Sequence, residues 1–130
     1  MRVRDLALQL VAGLAPKDYP AEVRRLHAWV RDAVRYVRDV RGVETLHTAA
    51  RVIEQRQGDC DDKSLLLAAL LESIGHRTRF VAVGFVRGHL SHVLPEVKLG
   101  RTWLPLETIV PGARPGWLPP GIAERLIVEV

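Results

Sequence analysis

The sequence predicts an α+β fold in which a buried helix packs on an antiparallel sheet. Three observations lead there. Helical periodicity occupies the chain up to Ile74, strand-forming runs separated by glycine-marked turns follow Gly75, and the two kinds of element are segregated rather than alternating. At 130 residues, 48% of them apolar and 26% charged, the chain fits one domain that buries a core without staples.

Leu6, Leu10 and Leu14 repeat at i+4 and define a first helix, which stops around Ala15-Pro16. Arg2 and Arg4 ahead of this apolar run resemble a short export signal, but Asp5 and Gln9 interrupt it, so an amphipathic helix and a cytoplasmic protein are expected. No stretch approaches the length of a membrane-spanning helix. Pro20 opens a second helix running to about Asp39, because proline suits the first turn, and Arg41-Gly42 ends it. Arg24, Arg31, Arg35 and Arg38 fall on one side of this helix, opposite Leu26, Ala33 and Val37 flanked by Val30. A third helix is expected over His47 to Arg56, with Thr45 or Thr48 as its cap.

In the fourth helix Asp59 serves as N-cap, Asp62 lies three residues on, and Leu65, Leu66, Ala69, Leu70 and Ile74 form a broad apolar face that ends at Gly75. Strands are then expected over 80–86, 91–99 and 102–108 as an antiparallel meander, with 126–130 as a last strand after the proline- and glycine-dense segment from Pro111 to Gly121. Pro95 and Pro105 each remove a ladder donor, which points to edge positions or bulges.

The net charge of +4 is carried almost wholly by arginine, without the basic and aromatic interleaving of single-strand binders, so nucleic acid is not expected as a partner. The arginine-rich face is read as solvated. A single cysteine excludes an intrachain disulfide and a cysteine-rich zinc module.

That cysteine, Cys60, lies in Gln57-Gly58-Asp59-Cys60-Asp61-Asp62-Lys63 at the start of the fourth helix. Unpaired backbone N–H groups and the positive end of the helix dipole favour thiolate there, whereas the flanking aspartates cap the helix and oppose it. Nucleophilic cysteine chemistry also needs a histidine to hold and deliver a proton and an acceptor to orient that histidine. In chain order the candidates are Cys60, His92 and Glu107. The Cys60 backbone N–H would stabilise an oxyanion, with Gln57, ahead of Gln55, as a side-chain donor. His89 competes as base but sits beside Gly88 in a turn; Glu96 is the reserve orienter, four positions from His92 on one strand. The bland alternatives are a buried apolar Cys60, a satisfied strand histidine, a solvent-facing Glu107 and a Trp103 that is core or cleft wall. Cys60, His89 and His92 make a poor metal set, because strand residues three apart face opposite sides, and no cofactor is expected. A non-catalytic binding or assembly module using the arginine-rich helix is the third class.

Gly58-Asp59-Cys60-Asp61-Asp62 with Leu65, Ala68-Ala69-Leu70-Leu71, Ser73-Ile74-Gly75 and Arg79 resembles the cysteine-helix block of the transglutaminase-like superfamily. His92, Glu96-Val97, Gly100, Trp103 and Leu104-Pro105-Leu106-Glu107-Thr108 resemble its histidine and acid strands, so the likeness runs from about Thr45 to Thr108. It implies a papain-like α+β fold of the small bacterial or phage type and a Cys-His-Asp arrangement acting on a peptide or protein substrate. Hydrolysis is expected over transfer to an amine, and a catalytically silent relative is the alternative. The chain departs from the family pattern at Glu107, where aspartate is usual, and at Leu94, where an aromatic residue is common.

Overall fold

The computed structural model describes residues 2–37, 52–53 and 57–128, with Gln57 described by its backbone. Helix α1 (Val3–Val11) buries Leu6 and Ala7 and ends earlier than the leucine repeat predicts, at a turn through Gly13, whose φ of 86° is left-handed. Helix α2 (Tyr19–Ala33) opens one residue before Pro20, with the Asp18 side chain accepting from Ala21 N–H.

Its end differs from expectation. The chain leaves the helix at Val34, and the Arg31 and Val34 carbonyls, orphaned at a helix C-terminus, receive the Lys63 ammonium at 3.1 and 2.8 Å. The chain then runs into β1 (Arg35–Tyr36), which pairs in parallel with β2 (Gln57–Gly58). Arg35 and Val37 therefore lie beyond the helix, and Ala33 is exposed, so the predicted wheel fails at its C-terminal end. The buried side is Ala21, Val23, Leu26, His27 and Val30. Arg31 is not part of a solvated arginine face either, since its guanidinium pairs with Asp32 at 2.7 Å and donates to the Ala113 carbonyl at 2.7 Å. Of the third expected helix, Val52 and Ile53 are helical and buried in the core; its remainder and the caps Thr45 and Thr48 lie outside the described residues, as does Arg38.

Helix α3 (Cys60–Ser73) is the centre of the molecule. It packs against α1 and α2 on one side and the sheet on the other, burying Leu66, Leu67, Leu70 and Leu71 against Val23, Leu26, Val30, Val97 and Leu106. Because neighbours enclose it on several sides, Asp62, Lys63 and Ser64 are buried too, while Leu65 and Ala69, predicted for the core face, stay half-buried.

The sheet has the order β5-β4-β3-β6, with β3 (Thr78–Gly84), β4 (His92–Leu99), β5 (Thr102–Pro105) and β6 (Glu124–Val128) paired antiparallel throughout. Pro105 sits on the edge strand as expected, but Pro95 lies in central β4. It is tolerated because its backbone polar groups face the β5 side just past the end of that ladder, where its carbonyl accepts from Leu106 N–H at 2.8 Å. Val81, Val83 and Leu94 form a second small core with Ile122. Among the described residues no helix is long and apolar enough to cross a membrane.

Candidate active site

Local sequence fixes the start of α3. Asp59 accepts from Asp62 N–H at 2.8 Å while Asp62 accepts from Asp59 N–H at 3.2 Å, a reciprocal capping box. Gly58 is required beside it, because a Cβ there would stand 2.6 Å from the Asp62 Cβ. Burial and the charges of Asp62 and Asp61 hold the Asp59 carboxyl above its ordinary range. Cys60 is thereby set at the first helical position, half-buried, where its backbone N–H has no intrahelical acceptor.

His92 opens β4 opposite Val83. The Ser64 hydroxyl donates to the Val93 carbonyl at 3.3 Å and ties the second turn of α3 to the strand beside this histidine. Glu107 follows β5 by two residues and is fully buried. Its carboxylate holds His92 Nε2 at 2.7 and 3.0 Å and accepts from Ile109 N–H at 3.2 Å. With Nε2 so engaged, Nδ1 is the ring nitrogen left for the thiol. Burial opposes protonation of His92, yet its interactions with Cys60 and Glu107 outweigh that and raise its pKa to about 9. The Cys60 sulfur also makes a long contact of 3.9 Å to Asp61 Oδ1, and it lies close enough to the His92 ring to favour its charged form. A cavity of about 310 Å³ opens over the pair, lined by Cys60, Asp61, Ala82, Leu90, Ser91, His92 and Val93.

Two groups behind the carboxylate had no part in the sequence prediction. His27 on α2 is buried, and its Nε2 contacts the Glu107 carbonyl at 2.6 Å; burial holds its pKa below the ordinary value, which makes it a neutral Nε2–H donor. Lys63 is buried with its ammonium on the end of α2, and desolvation, only partly offset by the charges of Asp32 and Glu107, lowers its pKa to about 8. The position of His27 among Val23, Leu26 and Val30 on the apolar side of α2 is a usable signal for a buried histidine. Lys63 carries no comparable signal, since a lysine in the first turn of a helix reads as solvated.

The other candidates fall elsewhere. His89 is exposed in the turn between β3 and β4. Glu96, 1% exposed, is held by Arg79 at 2.7 Å and Arg125 at 2.6 Å and makes no bond to His92. Trp103 is half-buried under the Arg79 guanidinium, 4.2 Å from its ring centroid. The Gln57 backbone pairs with Arg35, while its side chain and all of Gln55 lie outside the described residues.

A family model described as the transglutaminase-like superfamily matches residues 4–108. By fold the chain is similar to a protein of Parabacteroides distasonis described as a putative protease, with a TM-score of 0.69 at 13% identity over 80% of this chain and 22% of that one. It is also similar to a protein of Cytophaga hutchinsonii described as a putative cysteine protease, with a TM-score of 0.69 at 19% identity over 98% of this chain and 46% of that one. LapG of Legionella pneumophila gives a TM-score of 0.70 at 13% identity over 92% of this chain and 78% of that one. At such identities the likeness is one of fold, and this chain spans less than half the length of the first two. No curated protein matches the sequence.

Proposed function

We propose that this chain, which belongs to the transglutaminase-like superfamily, carries out cysteine-nucleophile acyl chemistry on a peptide or amide carbonyl. Cys60 is the nucleophile, His92 the base and acid, and Glu107 the group that orients His92. One observation carries the reading: a buried carboxylate holds His92 Nε2 at 2.7 and 3.0 Å on the wall of the cavity that also contains the thiol.

The Cys60 proton rests on Nδ1 before the substrate arrives, a thiolate beside an imidazolium that Glu107 keeps charged. The sulfur attacks the carbonyl carbon, a C–S bond forms, and the carbonyl electron pair moves to oxygen, where the Cys60 backbone N–H stabilises it. Gln57 is the proposed second donor. Collapse breaks the C–N bond as His92 gives its proton to the departing nitrogen, leaving a thioester. Neutral His92 then takes a proton from water, hydroxide adds to the thioester carbonyl, and the C–S bond breaks to release acid and thiolate. Water is the default acceptor, because transfer to an amine requires a site that shields the thioester.

The 3.9 Å contact of Sγ to Asp61 favours a second reading, a catalytically silent binding or assembly module. Iodoacetamide separates the two. Under the enzyme reading native Cys60 is alkylated at pH 6 at least ten-fold faster than N-acetylcysteine, and His92→Ala abolishes the advantage. Equal rates for the native protein, His92→Ala and the model thiol would make the thiol silent.

A further inference from the structure

The cavity over Cys60 lies at the N-terminal end of α3. Its wall includes Asp61 of α3 and Ala82 of β3. A second cavity, of about 340 Å³, is lined by Leu65, Ala68, Ala69 and Glu72 of the same helix and by Arg77, Thr78 and Phe80 on the same side of the sheet. Residues 61, 65, 68 or 69 and 72 recur at helical spacing and lie along one stripe of α3. Ala82, Phe80 and Thr78 alternate along β3 and therefore share one face. The two cavities thus lie end to end between the same helix stripe and the same strand face.

The rim continues this face onto the edge strand. Leu126 pairs with Ala82 and Val128 with Phe80, which puts both on the seam side of the sheet, 52% and 47% exposed. Leu65, Ala69 and Phe80, which line the second cavity, are half-buried. An apolar strip of this kind, left open beside a thiol, is the signature of a surface that a ligand covers.

We propose that this seam is a substrate subsite that seats an extended apolar stretch of the polypeptide whose carbonyl is presented to Cys60. The proposal rests on the acyl chemistry above and names its substrate class: a peptide with consecutive aliphatic residues on one side of the reacting bond. From Ala82 to Thr78 the strand spans about 13 Å, room for roughly four extended residues. Alignment with the thiol cavity along the same helix stripe and strand face selects a substrate segment as occupant over a second copy of the chain. Leu65 and Ala69 determine specificity by contact and take no part in bond making.

Two measurements test this. Fluorescence anisotropy on Cys60→Ser uses a labelled Gly-Leu-Val-Leu-Val-Gly peptide and a Gly-Ser-Thr-Ser-Thr-Gly control, and it needs no reactivity at the thiol. The apolar peptide is expected to bind, the control not, and Ala69→Glu to weaken binding at least ten-fold; Leu65→Lys does the same should Ala69→Glu not fold. Alkylation of the native thiol by the chloroacetylated apolar peptide is expected to saturate and to exceed the rate with chloroacetamide at least ten-fold. Ala69→Glu removes that excess and leaves the chloroacetamide rate unchanged.

Equal binding of the two peptides, or binding that gives no rate excess, would overturn the subsite while leaving the thiol chemistry intact. A dimer that Ala69→Glu splits, with no peptide bound, would assign the strip to a second copy of the chain and overturn it as well. An unreactive thiol with apolar-selective binding would count against the acyl chemistry and not against the groove.

Discussion

Replacing Glu107 with glutamine keeps the shape of the side chain and removes the charge that faces His92 Nε2 at 2.7 and 3.0 Å. His92 is raised from 6.5 to about 9, which at about 1.4 kcal/mol per pH unit is a preference of about 3 kcal/mol for the imidazolium. The thiol and carboxylate sides share it, so losing the carboxylate charge is expected to remove on the order of 1–2 kcal/mol. The folded pKa lies above the unfolded one, so this stabilisation is complete below pH 6.5 and is lost as the pH rises toward 9. Urea unfolding of the wild type and Glu107→Gln across pH 6 to 9.5 reads it directly. The stability gap between the two proteins should shrink by about that 1–2 kcal/mol over the interval. In the same proteins the NMR titration midpoint of the His92 ring should fall from near 9 toward 6.5. A gap that does not vary with pH, together with an unmoved midpoint, would refute the claim that Glu107 holds His92 in its charged form.

Other perturbations follow from the supporting structure. Gly58→Ala drives a Cβ against Asp62 in the capping box and should cost about 1–3 kcal/mol in urea unfolding. Lys63 has a folded pKa of about 8, below its unfolded value, so the unfolded chain holds more protons between there and 10.5 and stability rises with pH over that window. Lys63→Met should abolish the rise and lower stability near neutrality by about 1–3 kcal/mol, because the Arg31 and Val34 carbonyls lose their donor. Glu96→Ala leaves Arg79 without its partner and should destabilise by roughly 2–4 kcal/mol while leaving the alkylation rate of Cys60 unchanged.

What the sequence makes legible is whatever periodicity and local chemistry encode. The Asp59 and Asp62 cap, the helix that starts at Cys60 and ends before Gly75, and the helix-then-sheet order all follow from residues close in the chain. The pairing of His92 with Glu107 was readable because motif order carries it, and the glutamate reaches the ring from a position two residues beyond β5. The early end of α2 was hidden, since it depends on a lysine 29 residues away from the Val34 carbonyl. For the same reason Glu96 reads as a spare orienter, although Arg79 and Arg125 from two neighbouring strands take up its charge. Pro95 reads as an edge residue because one sequence does not say where the neighbouring ladder stops.

Acyl transfer at this site requires a proton to pass between Cys60 and His92. Intact-protein mass spectrometry after mixing with an activated peptide ester tests this most directly. The wild type should show one acyl group on Cys60 that forms and then decays by hydrolysis, and His92→Ala should acylate at least ten-fold more slowly. Acylation of both proteins at the rate of N-acetylcysteine would contradict it.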